Sequence, residues 1–217
     1  MVHVLNRDHS IIQQYLSEIR DKNVQKDRMR FRRNMERMGE AIAYEISKHL
    51  SFHEVEVETP LGMASCLKLH NNIVLGTILR AGLPLHHGML NVFDGADNAI
   101  ISAYRKHSSD VEFEIEIEYM SSPSLEDKTL ILSDPMLATG MSMVSAYKVL
   151  TGQRGTPQHT HIVSVIASEQ GLEYTRKHLP ANITYWIVAL DPEMNAKSYI
   201  VPGIGDAGDL SFGEKLE

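Results

Sequence analysis

Apolar and polar residues alternate strictly over positions 111–119, so that Val111, Phe113, Ile115, Ile117 and Tyr119 share one side and four glutamates the other. A period of two with one acidic face predicts a half-exposed strand, one arm of an antiparallel hairpin or flap and not a central strand. The runs at 73–79, 99–104, 129–134, 160–167 and 183–190 are different. They are short and mostly apolar, as in strands buried on both faces. Residues 55–57 read as a further short strand. Helical spacing recurs between these runs. Ile11, Ile12, Tyr15, Leu16 and Ile19 fall on one face after Asp8 or Ser10, either of which can cap. A longer helix is predicted over about 25–50, with Met35, Met38, Ile42 and Ile46 on one side. Shorter helices are predicted near 85–91, 140–150 and 170–178.

Strands alternating with helices through short links imply an α/β fold, a parallel sheet covered on both faces. The length of 217 residues suits a single domain over 1–217. From Asp191 onward the tail is rich in Gly, Pro and Asp and reads as a long ordered loop, a type of segment that often carries function.

Composition narrows the setting. A net charge of −7 gives no general attraction to nucleic acid, so an anion site must be built locally. The single cysteine, Cys66, excludes an intrachain disulfide framework and fits a reducing compartment, with Cys66 itself expected as a small core residue. No apolar run approaches the ~18 residues of a membrane span, and the first residues do not resemble a secretory signal. A cytoplasmic protein is expected, with no membrane and no nucleic-acid partner.

The strongest local signal is Asp134-Pro135-Met136-Leu137-Ala138-Thr139-Gly140-Met141-Ser142. It follows a buried strand and opens a helix, the position at which open parallel sheets bind ligands. Small residues at 138–140 let backbone N–H groups approach a phosphate, and the helix start adds unpaired donors. Thr139 and Ser142 offer hydroxyls, and Asp134 can accept from ribose hydroxyls. An ordinary turn capped by Ser142 or Thr139 would have the same spacing. The Walker A pattern and its lysine are absent, so a phosphate ester is indicated and a nucleoside triphosphate is not.

A hydrophobic strand, an acidic residue and A-T-G-x-S resemble the ribose-phosphate loop of type I phosphoribosyltransferases. The narrower wording D-P-M-L-A-T-G is similar to uracil phosphoribosyltransferases. Ile78-Leu79-Arg80-Ala81-Gly82-Leu83 and, after Pro202-Gly203, Ile204-Gly205-Asp206-Ala207-Gly208-Asp209 match the same family in the same order. The resemblance spans roughly 8–213. It implies a type I phosphoribosyltransferase-like parallel sheet flanked by helices, with a β-arm and a small hood built from the N-terminal segment and about 191–213. The implied reaction joins uracil to phosphoribosyl pyrophosphate, giving UMP and pyrophosphate.

The resemblance assigns residues as follows. Asp206, Arg80 and Asp134 are the catalytic set. Arg80, Arg105, Asp206 and the loop from Asp134 through Pro135, Met136, Leu137, Ala138, Thr139, Gly140 and Met141 to Ser142 hold phosphoribosyl pyrophosphate. Ile200, Gly205, Asp206 and Ala207 recognise uracil, with Tyr199 or Met136 available to pack on the ring. Asp206 either orients the diphosphate and its metal or takes the N1 proton. Mg²⁺ is the implied cofactor, held through substrate and water with no dedicated protein site. A homodimer or higher oligomer is implied, with the 111–119 arm as contact, and GTP is a candidate effector without assignable residues.

Departures from the family pattern are Met141 in place of a second glycine, Thr77 in place of proline, Pro84-Leu85 after Gly82-Leu83, and Ser168-Glu169-Gln170-Gly171 in place of a proline-containing turn. Met141 is expected to point outward and to be strained if its φ is positive. Two alternatives are a transferase for another small base and a nucleotide-binding regulator that has lost turnover. The basic residues Lys26, Arg28, Arg30, Arg32 and Arg33 read as a solvated helix face. The pairs His86-His87 and His159-x-His161 read as structural, not as metal ligands, and the eleven methionines read as core filler.

Overall fold

The computed structural model describes residues 1–70, 72–107 and 113–215, apart from the side chains of 103–107 and 113–116. In chain order the elements are β1 (Val2–Val4), α1 (Ile11–Arg20), α2 (Arg28–Ser47), β2 (Phe52–Thr59), β3 (Gly62–Leu69), β4 (Ile73–Leu79), α3 (Leu83–Val92), β5 (Asp97–His107), β6 (Phe113–Ser121), β7 (Thr129–Ser133), β8 (Met136–Leu137), α4 (Met141–Arg154), β9 (His159–Ser168), α5 (Glu169–His178), β10 (Thr184–Asp191), β11 (Glu193–Met194), β12 (Ile200–Val201) and α6 (Ala207–Phe212).

The main sheet has the order β1-β10-β9-β7-β4-β5-β6, with β8 also paired to β9. All pairs are parallel except β5 with β6 at one edge. From β4 the chain first adds β5 on one side, then returns to add β7, β9 and β10 on the other. This reversal of direction lies between β4 and β7, and the crevice at their carboxyl ends is where such sheets bind ligands.

The apolar runs of the sequence account for this sheet. On β4, Ile73 and Leu75 face one core while Val74 and Ile78 face the other. On β7, Ile131 opposes Leu130 and Leu132. On β10, Trp186 and Val188 oppose Tyr185 and Ile187. Strands buried on both faces leave no polar side, which is why they read as continuous apolar runs. One core is closed by Leu16 and Ile19 of α1, Met35, Met38, Ile42 and Ile46 of α2, and Leu85 and Met89 of α3. The other is closed by Met143, Ala146 and Leu150 of α4 and Leu172 of α5. Burying one such Leu, Ile or Met contributes about 1.5–3 kcal/mol, so these faces dominate the stability.

One expectation holds where the structure describes it, and three need adjustment. The 111–119 alternation lies on β6, the antiparallel edge strand, except for positions 111 and 112, which lie outside the described residues. The separate two-stranded hairpin is β2–β3, which reaches well beyond the short strand at 55–57. Cys66 belongs to this hairpin and is exposed, so it is not a core residue. The tail is more ordered than a loop, for it forms β12 and α6. Of the two candidate caps for α1, Ser10 holds the N-cap position, without a side-chain bond.

Candidate active site

An open cleft of about 610 Å³ lies at the carboxyl ends of β4 and β7. Its floor is built by pinning the chain after β7. The Ser133 hydroxyl donates to the Gly76 carbonyl at 3.0 Å, tying β7 to β4. Asp134 N–H donates to Val163 O at 3.1 Å, and the Ser164 hydroxyl donates to Asp134 O at 2.7 Å. Pro135 lacks an N–H, but its carbonyl accepts from both Val165 and Ile166. The Asp134 side chain is thereby fixed at the strand end, facing the cleft.

The turn into α4 then needs a left-handed residue, and Gly140 supplies it with φ 78°. A Cβ there would lie 2.8 Å from Gly171 O and 2.9 Å from the Thr175 methyl. The positive φ falls on Gly140, and Met141 is the first residue of α4, so the expected strain at Met141 does not arise. No side chain caps α4; the Thr139 hydroxyl accepts from Met141 N–H at 3.4 Å. Behind the loop, the Ser168 hydroxyl donates to Ala138 O at 2.6 Å and accepts from Gly171 N–H at 2.8 Å. The sequence departure at Ser168 is therefore a strut that caps α5 and holds the loop with one group.

The opposite wall comes from the tail. Asn195 Oδ1 accepts from the N–H groups of Lys197 and Tyr199, shaping a tight polar turn before β12. Asp206 is the N-cap of α6, its Oδ1 accepting from Asp209 N–H at 2.9 Å. The Asp206 carboxylate is thus oriented while still lining the cleft. Asp134 and Asp206 face a shared space. Burial pushes the Asp134 carboxyl up to about 7; the Met136 N–H bond opposes this and the Asp206 charge adds to it. Protein crowds Asp134 closely, although part of its surface meets the water in the cleft.

Most residues singled out by sequence meet here. Asp134, Met136, Leu137, Ala138, Thr139, Gly140 and Ser142 line one side. Ile200, Gly205, Asp206 and Ala207 line the other, with Tyr199 beside them. Pro135 and Met141 support the loop from outside the lining. Arg80 is exposed and turned to the tail, where it pairs with Asp209 at 3.2 Å and donates to Gly213 O at 3.5 Å. Arg105 pairs through its backbone with Ile115, and its side chain lies outside the described residues. Lys197, Ser198, Gly208 and Lys215 also line the cleft and were not singled out. The polar turn next to Ile200 was a usable signal for Lys197 and Ser198; Lys215 has none.

Among the described residues no group of three or more His, Cys, Asp or Glu is arranged to hold a metal ion. The cleft does offer the carboxylates of Asp134 and Asp206. One or two carboxylates completed by substrate phosphates and water is the donor set that suits Mg²⁺. Of the histidine pairs, His161 Nδ1 accepts from the Trp186 indole N–H at 3.0 Å, and His86 bonds to Asn98 at 2.7 Å. In the basic cluster, Arg30 pairs with Glu18 and Arg32 donates to Ser211 O.

A mostly parallel sheet flanked by helices, with the 134–142 loop after β7 and the tail facing each other across one cleft, is the fold of the type I phosphoribosyltransferases. The AQ2163 protein from Aquifex aeolicus superimposes with a TM-score of 0.88 at 28% identity, covering 100% of both chains. The adenine phosphoribosyl transferase from Trypanosoma brucei, at 11% identity and TM-score 0.52 over 94% of this chain and 88% of that one, shares the fold.

The chain belongs to the uracil phosphoribosyltransferase family, whose sequence pattern matches residues 5–214. It is 55% identical to the uracil phosphoribosyltransferase of Porphyromonas gingivalis over 212 residues, 98% of each chain. It is 40% identical to that of Methanothermobacter thermautotrophicus over 208 residues, 95% of this chain and 93% of that protein.

Proposed function

We propose that this chain transfers the 5-phosphoribosyl group from phosphoribosyl pyrophosphate to N1 of uracil, releasing UMP and pyrophosphate, in pyrimidine salvage. The observation that carries this reading is the convergence of the 134–142 loop and the 200–207 tail on one cleft. The first suits a 5-phosphate and ribose, and the second suits a small planar base.

The bond from ribose C1 to the pyrophosphate oxygen breaks, the bond from C1 to uracil N1 forms, and the N1 proton passes to Asp206, directly or through water. The ribose becomes cationic on the way, so charge placed around it dominates the rate. Asp134 accepts from the ribose hydroxyls, and together with Asp206 gives the cleft a negative floor under the developing cation. Backbone N–H groups of 138–142 and the Thr139 and Ser142 hydroxyls hold the 5-phosphate. Arg80, released from Asp209, and Arg105 hold the pyrophosphate. The carboxylates of Asp134 and Asp206, with substrate oxygens and water, would hold Mg²⁺, which when bound would supply charge neutralisation to the leaving pyrophosphate.

Uracil offers an N3–H donor between two carbonyl acceptors. Backbone groups at Ile200, Gly205 and Ala207, which line the cleft, pair with that pattern in this reading, and a site so built rejects cytosine, whose N3 and exocyclic amine reverse it and leave buried groups unpaired. Asp206 faces the N1 side. The whole of 1–217 acts as one domain, with the N-terminal segment and 191–213 as hood. It works in the cytoplasm as a homodimer or higher oligomer, and GTP is the candidate effector. The contact uses β-hairpin surface, either the β6 arm or the β2–β3 hairpin, which exposes Phe52, Leu61, Met63 and Leu67. Among the described residues no helix is long and apolar enough to cross a membrane.

The test is UMP formation from uracil, phosphoribosyl pyrophosphate and Mg²⁺, with Asp134→Asn and Arg80→Ala alongside and hypoxanthine, adenine and cytosine as competing bases. Uracil turnover abolished in Asp134→Asn supports the reading. Faster turnover of another base, or a folded wild type without turnover, refutes it.

A further inference from the structure

Gly203 lies between the two stretches of tail that line the cleft, Ile200 on one side and Gly205 to Gly208 on the other. Both of its backbone groups are held by side chains from elsewhere. Its N–H donates to Asp191 Oδ2 at 2.9 Å, and its carbonyl accepts from Arg20 Nη1 at 2.9 Å. Arg20 and Asp191 are joined in turn by a two-pronged pair, Nη1 to Oδ2 at 2.9 Å and Nη2 to Oδ1 at 2.7 Å. The three residues close a ring of hydrogen bonds. Arg20 is the last residue of α1 and Asp191 the last of β10, so the ring fastens the tail to the first helix and to the sheet at once.

The ring is well built for holding a position. The Asp191 side chain is only 6% exposed and that of Arg20 23%, so water competes little for the bonds. Two parallel N–H···O bonds fix direction as well as distance. Gly203 adopts φ 54°, and a Cβ there would lie 2.1 Å from Ile200 O, so the chain is folded tightly back on itself at the held point. None of the three residues lines the cleft. The Asp191 backbone pairs with Ser168 in the sheet, but its side chain takes no part in that pairing, and a largely buried charged pair is a costly way merely to join two elements.

We infer that Arg20 and Asp191 are positioning residues for base recognition: they set the spacing between Ile200 and the 205–207 loop and so the width of the slot that takes the base. This rests on the reading of the tail as the uracil wall. A base-sized slot tolerates little displacement, since small misplacements of binding groups cost large factors in rate or affinity.

The experiment measures KM for uracil and for phosphoribosyl pyrophosphate separately, with kcat and thermal melting, in Asp191→Asn, Arg20→Lys and Arg20→Ala. Asp191→Asn keeps the shape and an acceptor but loses the charge; Arg20→Lys keeps the charge but loses the fork. Uracil KM should rise about 10-fold in both while KM for phosphoribosyl pyrophosphate changes less than about 2-fold. Guanidinium ion should partly restore uracil KM in Arg20→Ala and not in Arg20→Lys. Should Arg20→Ala fail to fold, the two conservative variants decide. Ala207→Val, which crowds the tail wall directly, separates the two readings. If it raises uracil KM while the clamp variants, folded, leave it unchanged, the clamp is wrong and the tail assignment stands. If Ala207→Val and the clamp variants all leave uracil KM unchanged, the tail assignment falls and the clamp falls with it. A parallel rise in both KM values would also overturn the clamp, since it would mean general loosening.

Discussion

The guanidinium of Arg80 lies 3.2 Å from the carboxylate of Asp209, so this strand-end arginine is engaged by the tail instead of the cleft. Both side chains are about two-fifths exposed, at 42% and 41%, and pairs of this kind contribute roughly 0–1 kcal/mol. Pyrophosphate can therefore take Arg80 from Asp209 cheaply. Asp209→Asn should lower KM for phosphoribosyl pyrophosphate by up to about fivefold, the equivalent of ~1 kcal/mol. Arg80→Ala should lower kcat/KM for the same substrate about 100-fold, as expected for loss of one or two charge-assisted bonds. Initial rates with varied phosphoribosyl pyrophosphate check both. A large rise of KM in Asp209→Asn would mean that Asp209 aims Arg80 and does not compete for it.

The phosphate loop is shaped from behind by α5. Gly140→Ala places a Cβ 2.8 Å from Gly171 O and asks an L-residue to adopt φ 78°. The backbone penalty is about 1–2 kcal/mol, and the collision with a carbonyl adds to it. Ser168→Ala leaves Ala138 O and Gly171 N–H without their shared partner in a buried place, at about 2 kcal/mol. Both variants should melt earlier, and both should raise KM for phosphoribosyl pyrophosphate more than KM for uracil. Equal changes in the two constants would show that the loop does not belong to the phosphoribosyl side.

Sequence pattern was informative where burial is two-sided or a motif has tight steric demands. Ile73 to Leu79 and Thr129 to Ser133 read as strands because their apolar residues pack alternately on one core and the other. The 134–142 loop was legible because crowding and a positive φ at Gly140 leave room only for glycine, and the 205–207 segment because Gly205 takes φ 87°, a conformation that favours glycine. What escaped lacks a core-facing period. β3 exposes Met63 and Leu67 and pairs only with β2, so no alternation was forced on it. β1 is three residues whose partner, β10, lies far along the chain. α6 begins Ala-Gly-Asp, a composition that reads as loop until Asp206 caps it and Arg32 anchors its Ser211 carbonyl. The clamp of Arg20 on Asp191 joins residues 171 positions apart, which no local pattern reports.

At the far end of the sheet, His161 is buried with Nδ1 accepting from Trp186, so Nε2 carries the proton of the neutral ring. Burial first, then repulsion from His159, His49 and His3, holds its pKa down to about 3. A histidine whose folded pKa lies below the ordinary 6.5 leaves the unfolded chain binding more protons between those values. Its contribution is complete above pH 6.5 and is lost as pH falls toward 3. The loss at pH 5 is about 2 kcal/mol. Urea unfolding at pH 7.5 and pH 5 should show wild type losing about 2 kcal/mol relative to His161→Asn, which keeps an acceptor for Trp186 but does not titrate; comparing the two proteins cancels the other titrating groups, Asp134 among them. The same pH slope in both proteins would exclude His161 as its source.

Asp134 gives the opposite sign. Its folded pKa is raised from the ordinary 3.8 to about 7, chiefly by burial. A raised carboxyl favours the folded state below pH 3.8 and loses that contribution as pH climbs to 7, so above pH 7 the ionised group opposes folding in full. The linkage limit is about 4 kcal/mol, reduced by the water that reaches the group from the cleft. Asp134→Asn removes the charge and keeps an oxygen for the Met136 N–H. It should be more stable than wild type at pH 8, by less than that limit, and equal to it near pH 4. Turnover should respond in the reverse direction. The ionised carboxylate is the form that accepts ribose hydroxyls and faces the cationic ribose, so wild-type kcat/KM for phosphoribosyl pyrophosphate should climb with pH to a plateau above about 7, and the variant should lose about 100-fold or more at every pH. Urea midpoints at pH 4.5, 6 and 8, measured with a pH–rate profile, check both halves. A variant that is inactive yet no more stable at pH 8 would separate the catalytic role of the charge from any cost of holding it there.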